Sequence, residues 1–190
     1  VWQASVETDI AVCIHIGTSG RTFLPSDDAT FSVAVALGPV NAQITFMDLL
    51  LCGILQRFPG LKVALSEGGI GWVPFALERV DRTWERHRYW AELDDTPPSE
   101  IFRRNVWVCF IDEVAGIEMR DRIGVDRIMW ECDYPHADTP WPNSQGEVRK
   151  ILTGLPAEDI AAMTHSNAEK LFRWQERPDV ESVLGSDVSN

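Results

Sequence analysis

Short apolar runs rich in β-branched residues alternate with longer stretches in which apolar side chains recur every three or four positions, and the alternation repeats four times. The runs predict strands over residues 11–16, 61–66, 106–111 and 127–131. The first has β-branched and small residues suited to burial on both faces. Residues 1–10 predict the end of a helix leading into it. After it, residues 21–39, with Pro25, Asp27 and Asp28, predict an irregular excursion over the loop ends of the strands. From Asn41, an N-cap residue type, Ile44, Met47, Leu51, Ile54, Leu55 and Phe58 recur at helical spacing until Pro59-Gly60 stops the helix. Pro74 opens a long helix that turns Leu77, Val80 and Trp84 inward and Arg79, Arg82, Arg86 and Arg88 toward solvent. Residues 94–98 predict a loop and Ser99 the cap of a short helix. A brief helix over 117–123 is closed by Gly124, and helices around 145–152 and 157–174 complete the order. Residues 175–190 are polar and predict a frayed tail.

Strand, loop and helix repeated four times predict a parallel sheet with right-handed crossovers. An open doubly wound sheet and part of a barrel both satisfy that pattern. With 190 residues and 45% hydrophobic content, one domain with one core is expected. A formal charge of -12 argues against nucleic acid, whose binding depends on a basic surface. No uninterrupted apolar stretch of membrane-spanning length and no secretory leader are apparent, so a cytoplasmic protein without membrane attachment is expected. Cys13, Cys52, Cys109 and Cys132 lie in apolar segments without C-x-x-C spacing, which predicts buried, unreactive thiols.

Three strands end in residues that carry chemistry. Ile128, Met129 and Trp130 lead to Asp133, and Pro135 lacks the N–H that would continue the ladder, so Asp133 falls at the strand's carboxyl end, where α/β proteins bind ligands. A lone aspartate there is ordinarily a turn or capping residue. The run 12–20 has the same layout, delivering His15 and then a glycine-rich loop. A histidine nitrogen and an aspartate oxygen converging from two strands suit Zn²⁺ first and Mn²⁺ second, but a catalytic zinc takes about three protein ligands. His136, His87 or His165 would have to be recruited, although His87 and His165 fall in predicted helices and read as surface or packing residues. Glu67 precedes a diglycine at the end of the second strand. There it serves either as general acid or base, or as a capping carboxylate for the helix that starts after residue 71. The loop Gly17-Thr18-Ser19-Gly20-Arg21-Thr22 lacks the order of a phosphate loop.

The segments HIGTSG, FPGLKVALSEGGIGWVPFALERVDRTWERH, PSEIFRRNVWVCFID, GVDRIMWECDYPHADTPWP and SNAEKLF, in this order, together resemble the amidohydrolase-related family, which includes enzymes of the aminocarboxymuconate-semialdehyde decarboxylase type. The resemblance covers residues 1–174, leaving 175–190 as the tail. It implies strands five to eight of a metal-dependent (β/α)8 TIM barrel, that is, its C-terminal half, with the first metal-binding histidine pair expected before residue 1. It implies that His15 and Asp133 are metal ligands and that Asp133 does catalytic work, with Glu67 the second catalytic candidate from its own position. Decarboxylases of the family place a histidine where this chain has Glu67. The implied function is hydrolysis or nonoxidative decarboxylation of a small carboxylated cyclic or aromatic substrate, with self-association through open edges. A noncatalytic half-barrel subunit or remnant is the competing expectation. In either case the chain alone is expected to hold metal weakly and to be inactive. His15 and Asp133 are expected on neighbouring strands, with Glu67 aimed at the same mouth by strand alternation.

Overall fold

Side-chain alternation along four parallel strands decides which residues reach the core and which reach the site. The computed structural model describes residues 1–21 and 23–174, so the tail predicted at 175–190 lies outside the described residues. The elements run α1 (Trp2–Glu7), β1 (Val12–His15), α2 (Phe31–Ala36), α3 (Gly38–Leu51), α4 (Ile54–Arg57), β2 (Val63–Ser66), α5 (Val73–His87), α6 (Pro98–Asn105), β3 (Val106–Phe110), α7 (Ala115–Glu118), α8 (Arg120–Ile123), a 3-10 turn (Val125–Arg127) and β4 (Ile128–Trp130). They close with α9 (Ser144–Ile151), α10 (Ala157–Ala161), a π turn (Ala162–Ser166) and α11 (Asn167–Phe172).

The sheet order is β1-β2-β3-β4, all parallel, with His15 opposite Ser66 and Phe110 opposite Trp130. A doubly wound sheet reverses its strand order at a switch point, whereas a barrel keeps consecutive strands adjacent, so the order selects the partial barrel. Val63, Leu65, Val106, Val108, Phe110 and Ile128 face one way and pack with Phe46, Leu50, Val73, Leu77, Val80 and Phe102 of the helices. The other face carries Ala64, Cys109 and Met129, packed with Leu171.

Several predicted details give way. β1 is not buried on both faces: Cys13 and His15 are exposed, because β1 is an edge of the sheet and has a partner only on the β2 side. The predicted excursion over 21–39 contains α2 and the start of α3. Pro39 sits in the first turn of α3, where its missing N–H has no intrahelical partner to lose. Asn41 is therefore inside the helix rather than its cap, and its amide donates to the Gly38 carbonyl. Gly53, at φ 77°, breaks the helix predicted to continue to Phe58, and the buried face of α3 is Ala42, Phe46, Leu49 and Leu50, with Ile44 exposed. Ser99 is likewise within α6, with its N–H donating to Asp81, while Pro97 precedes the helix. Arg88 leaves the solvated row and stacks over the Trp84 ring at 4.5 Å. Among the cysteines only Cys109 is buried; Cys13 and Cys52 are exposed and Cys132 is half-buried. The stretch Phe31–Leu51 is long and apolar enough in composition to cross a membrane, contrary to expectation. Within it α3 buries Ala42, Phe46, Leu49 and Leu50 and packs against β2 and α5, while α2 buries none of its residues.

Two buried asparagines hold the strand entries. Asn105, 1% exposed, donates to the carbonyls of Pro59 and Leu61 ahead of β2. Asn167, 3% exposed, donates to the carbonyls of Val125 and Ile128 at 2.8 Å, fastening α11 to the start of β4. Removing such a donor leaves buried acceptors unpaired, so Asn167→Ala is expected to lower unfolding free energy by about 1–3 kcal/mol in urea melts. A variant within a few tenths of wild type would show that the fastening adds nothing.

Candidate metal and acid–base site

β1, β2 and β4 end at the same edge of the sheet, and each hands a polar residue to that edge. β1 delivers His15. Its Nδ1 lies 2.6 Å from the Ile16 carbonyl, which only accepts, so Nδ1 carries a hydrogen and Nε2 is turned toward Glu67 Oε1 at 2.7 Å. The bond to Ile16 raises the pKa of His15 above its ordinary value; burial opposes this, and the carboxylates of Glu67 and Asp133 reinforce it.

β2 delivers Glu67, but not by alternation. His15 pairs with Ser66, and Val63 and Leu65 face the helices, so an extended Glu67 would follow them away from the mouth. Glu67 instead adopts φ 58°, which ends the strand and turns the carboxylate back over the edge. Its side chain is only 14% exposed. Burial pushes its pKa up, and a hydrogen bond shared with Asp133 adds to the rise, against the pull of His15. Among the described residues no side chain caps α5, so Glu67 does not cap it; Glu113 Oε1 accepts from the Ile70 N–H at 2.6 Å in the turn before that helix.

β4 delivers Asp133, also at positive φ, 53°. Its Oδ1 lies 2.7 Å from His136 Nδ1, and its side chain is 8% exposed. Burial works to raise its pKa but is outweighed by hydrogen bonds with Glu67 and His136 and by the two imidazoles, so the carboxyl sits below its ordinary value.

β1 and β4 are the two edges of the sheet rather than neighbours, so His15 and Asp133 meet through Glu67 and His136 across its curvature. His136 Nδ1 is 3.7 Å from Glu67 Oε1, and the rings of His15 and His136 are 6.4 Å apart edge to face. The ligand atoms of His15, Glu67 and His136 all lie within 4.8 Å of one another. Donors bound to one small divalent ion at about 2.0–2.2 Å stand roughly 3–4 Å apart, so this mixed nitrogen and oxygen set fits such an ion with small side-chain adjustments. His136, three residues beyond Asp133, is the histidine that joins this cluster; His87 and His165 are exposed on helices elsewhere, as expected of them. A cavity of about 530 Å³ opens beside His15 and Glu67, lined by Ile16, Phe23, Val35 and Leu37 with the polar groups of Arg21 and Asn41.

A carboxylate and imidazole cluster at the carboxyl ends of parallel strands, with helices packed behind the sheet, lies where (β/α)8 barrels carry their active sites. The sequence matches the family model described as Amidohydrolase over residues 1–174, and the chain belongs to that family. Solved structures share the fold. A 5-carboxyvanillate decarboxylase from Sphingomonas paucimobilis has 24% identity and a TM-score of 0.73 over 92% of this chain and 52% of its own. An amidohydrolase from Mycobacterium avium subsp. paratuberculosis K-10 has 23% identity and a TM-score of 0.70 over 90% of this chain and 44% of its own. A dihydroxybenzoic acid decarboxylase from Polaromonas sp. JS666, solved with bound manganese and the inhibitor 2-nitroresorcinol, has 20% identity and a TM-score of 0.65 over 90% of this chain and 52% of its own. The chain thus spans about half the length of these structures.

Proposed function

We propose that this chain supplies the C-terminal half of the active site of a metal-dependent carboxy-lyase acting on a small carboxylated aromatic or cyclic substrate. The observation that carries this reading is the convergence of His15 Nε2, Glu67 Oε1, His136 Nδ1 and Asp133 Oδ1 at one mouth, beside a mostly apolar cavity with a single arginine. The decarboxylases among the structures of like fold support the reaction type, and the manganese in one of them supports Mn²⁺ alongside Zn²⁺. His15 and His136, whose donors lie within 4.8 Å of each other, would hold the cation with Asp133, whose Oδ1 lies 2.7 Å from His136 Nδ1, and Glu67 stays beside it as the acid. When bound, the cation supplies charge neutralisation and Lewis-acid polarisation of a substrate carboxylate.

The side chains do the rest. Ile16, Phe23 and Leu37 take the apolar ring, and Arg21 pairs with a carboxylate or phenolate at its rim. Glu67 gives a proton to the ring carbon as its bond to the carboxylate breaks; the bonding electron pair stays on that carbon, CO₂ departs, and Glu67 recovers its proton from solvent. Asp133, ionised beside Glu67, stabilises the proton on its neighbour before transfer. Hydrolysis is the second reading, and one observation favours it: the group at this place is a carboxyl rather than a histidine, paired with an ionised Asp133 able to take a proton from attacking water.

The relatives are about twice as long, so turnover is expected from the chain joined to four upstream strands carrying an H-x-H or E-x-H pair, and not from residues 1–190 alone. The extended protein, loaded with Mn²⁺ and offered hydroxylated benzoates, should release CO₂. Equal turnover by the short chain would overturn the division of the site, and hydrolysis of ester or lactone substrates without CO₂ release would select the second reading. Glu67→Gln keeps an oxygen donor but loses the proton, so turnover should fall by about 10²–10⁴-fold while metal content stays within roughly threefold. Unchanged turnover would return Glu67 to a structural role.

A further inference from the structure

The loop that carries Glu67 is held from two sides by carboxylates that the reaction itself does not use. The Glu67 N–H donates to Glu131 Oε1 at the end of β4, on the same face of the sheet as Met129. Three residues on, the Ile70 N–H donates to Glu113 Oε1 after β3 at 2.6 Å. Neighbouring glycines permit the arrangement. A Cβ on Gly68 would stand 2.4 Å from the Ala42 Cβ, and one on Gly116 would stand 2.2 Å from Ile70 and 2.4 Å from Glu113. The loop is therefore docked against α3 and the start of α7 with no room to shift.

The geometry points to Glu131 as a positioning residue: by accepting the Glu67 N–H it anchors the Ser66–Glu67 peptide from which Glu67, at positive φ, aims its carboxylate at His15. The Ser66 carbonyl accepts from the Ile16 N–H of β1, so the Glu67 N–H of the same trans peptide faces the opposite way, toward Glu131; from that fixed peptide an extended Glu67 would send its side chain toward the helices with Leu65. A positive φ at a residue with a Cβ persists only where surroundings enforce it, and the Glu131 acceptor, with Glu113 fixing the other end of the loop, is that enforcement. Glu131 is also fixed itself: its own N–H donates to the Phe110 carbonyl at 3.0 Å. β4 thus contributes twice, with Asp133 at the mouth and with Glu131 beneath the loop.

This inference uses the acid role of Glu67 proposed above, and the test separates the two. Amide hydrogen exchange at Glu67 and Ile70 is measured by NMR in wild type, Glu131→Gln and Glu131→Ala, with Glu131→Met, which keeps length without an acceptor, where the alanine variant does not fold. Glu131→Gln retains the oxygen and should protect Glu67 within about threefold of wild type. Glu131→Ala should speed exchange at Glu67 at least roughly tenfold and leave Val108 in β3 unchanged. In the extended protein Glu131→Ala should lose as much turnover as Glu67→Gln at constant metal content, and the double variant should lose no more than either. Glu67 protection that survives loss of the acceptor, or additive losses of turnover, would overturn the positioning role. A wild type without turnover would overturn the proposed reaction, while the exchange comparison still decides the role of Glu131.

Discussion

Asp133→Ala is expected to lower Mn²⁺ affinity by more than about 100-fold. Outer groups that merely orient a metal ligand cost about 10–100-fold when removed, and Asp133 is proposed to supply a ligand oxygen itself. The exposure of its side chain is 8%, which leaves little space for water to replace it. Alanine at positive φ is no better tolerated than aspartate, so thermal melts should accompany the Mn²⁺ titration to separate local loss from unfolding. Affinity within a few fold of wild type in a folded Asp133→Ala protein would remove Asp133 from the ligand set.

Phe46→Ala should have the largest effect on stability. Phe46 is fully buried, with its ring 5.0 Å from Trp72 and 5.5 Å from Phe102, so it joins α3, α6 and the turn before α5. Truncation of a buried phenylalanine costs about 3–5 kcal/mol, which for a domain of this size lowers Tm by roughly 6–20 °C. Because the same helix presses Ala42 against Gly68, the Glu67 loop should loosen as well. A melting temperature within about 3 °C of wild type would mean that the three-ring contact collapses without a cavity.

Strand ends were legible in the sequence because a β-type run followed by a polar residue and glycine or proline marks both the strand and the site it serves; His15 and Asp133 are located by that rule alone. Glu67 reaches the expected mouth for a different reason: the strand period points it at the helices, and a positive φ turns it back. Helix α2 was hidden by the punctuating Pro25 and by Gly38-Pro39, which are equally at home in a loop and at a helix start. The buried face of α3 was hidden because that helix is apolar on most sides, so spacing does not single out a face. Glu113 and Glu131 had no local signal at all. Their roles depend on backbone groups 43 and 64 positions away, and only the sheet brings those together.

The proposed metal site is tested most directly by diffraction from crystals soaked in Mn²⁺, using its anomalous scattering to locate the ion. The expected result is one peak bounded by His15 Nε2, Asp133 Oδ1 and His136 Nδ1, with Glu67 beside it, and its disappearance in Asp133→Ala. A peak elsewhere, or none at this cluster with the protein otherwise as described, would contradict the assignment.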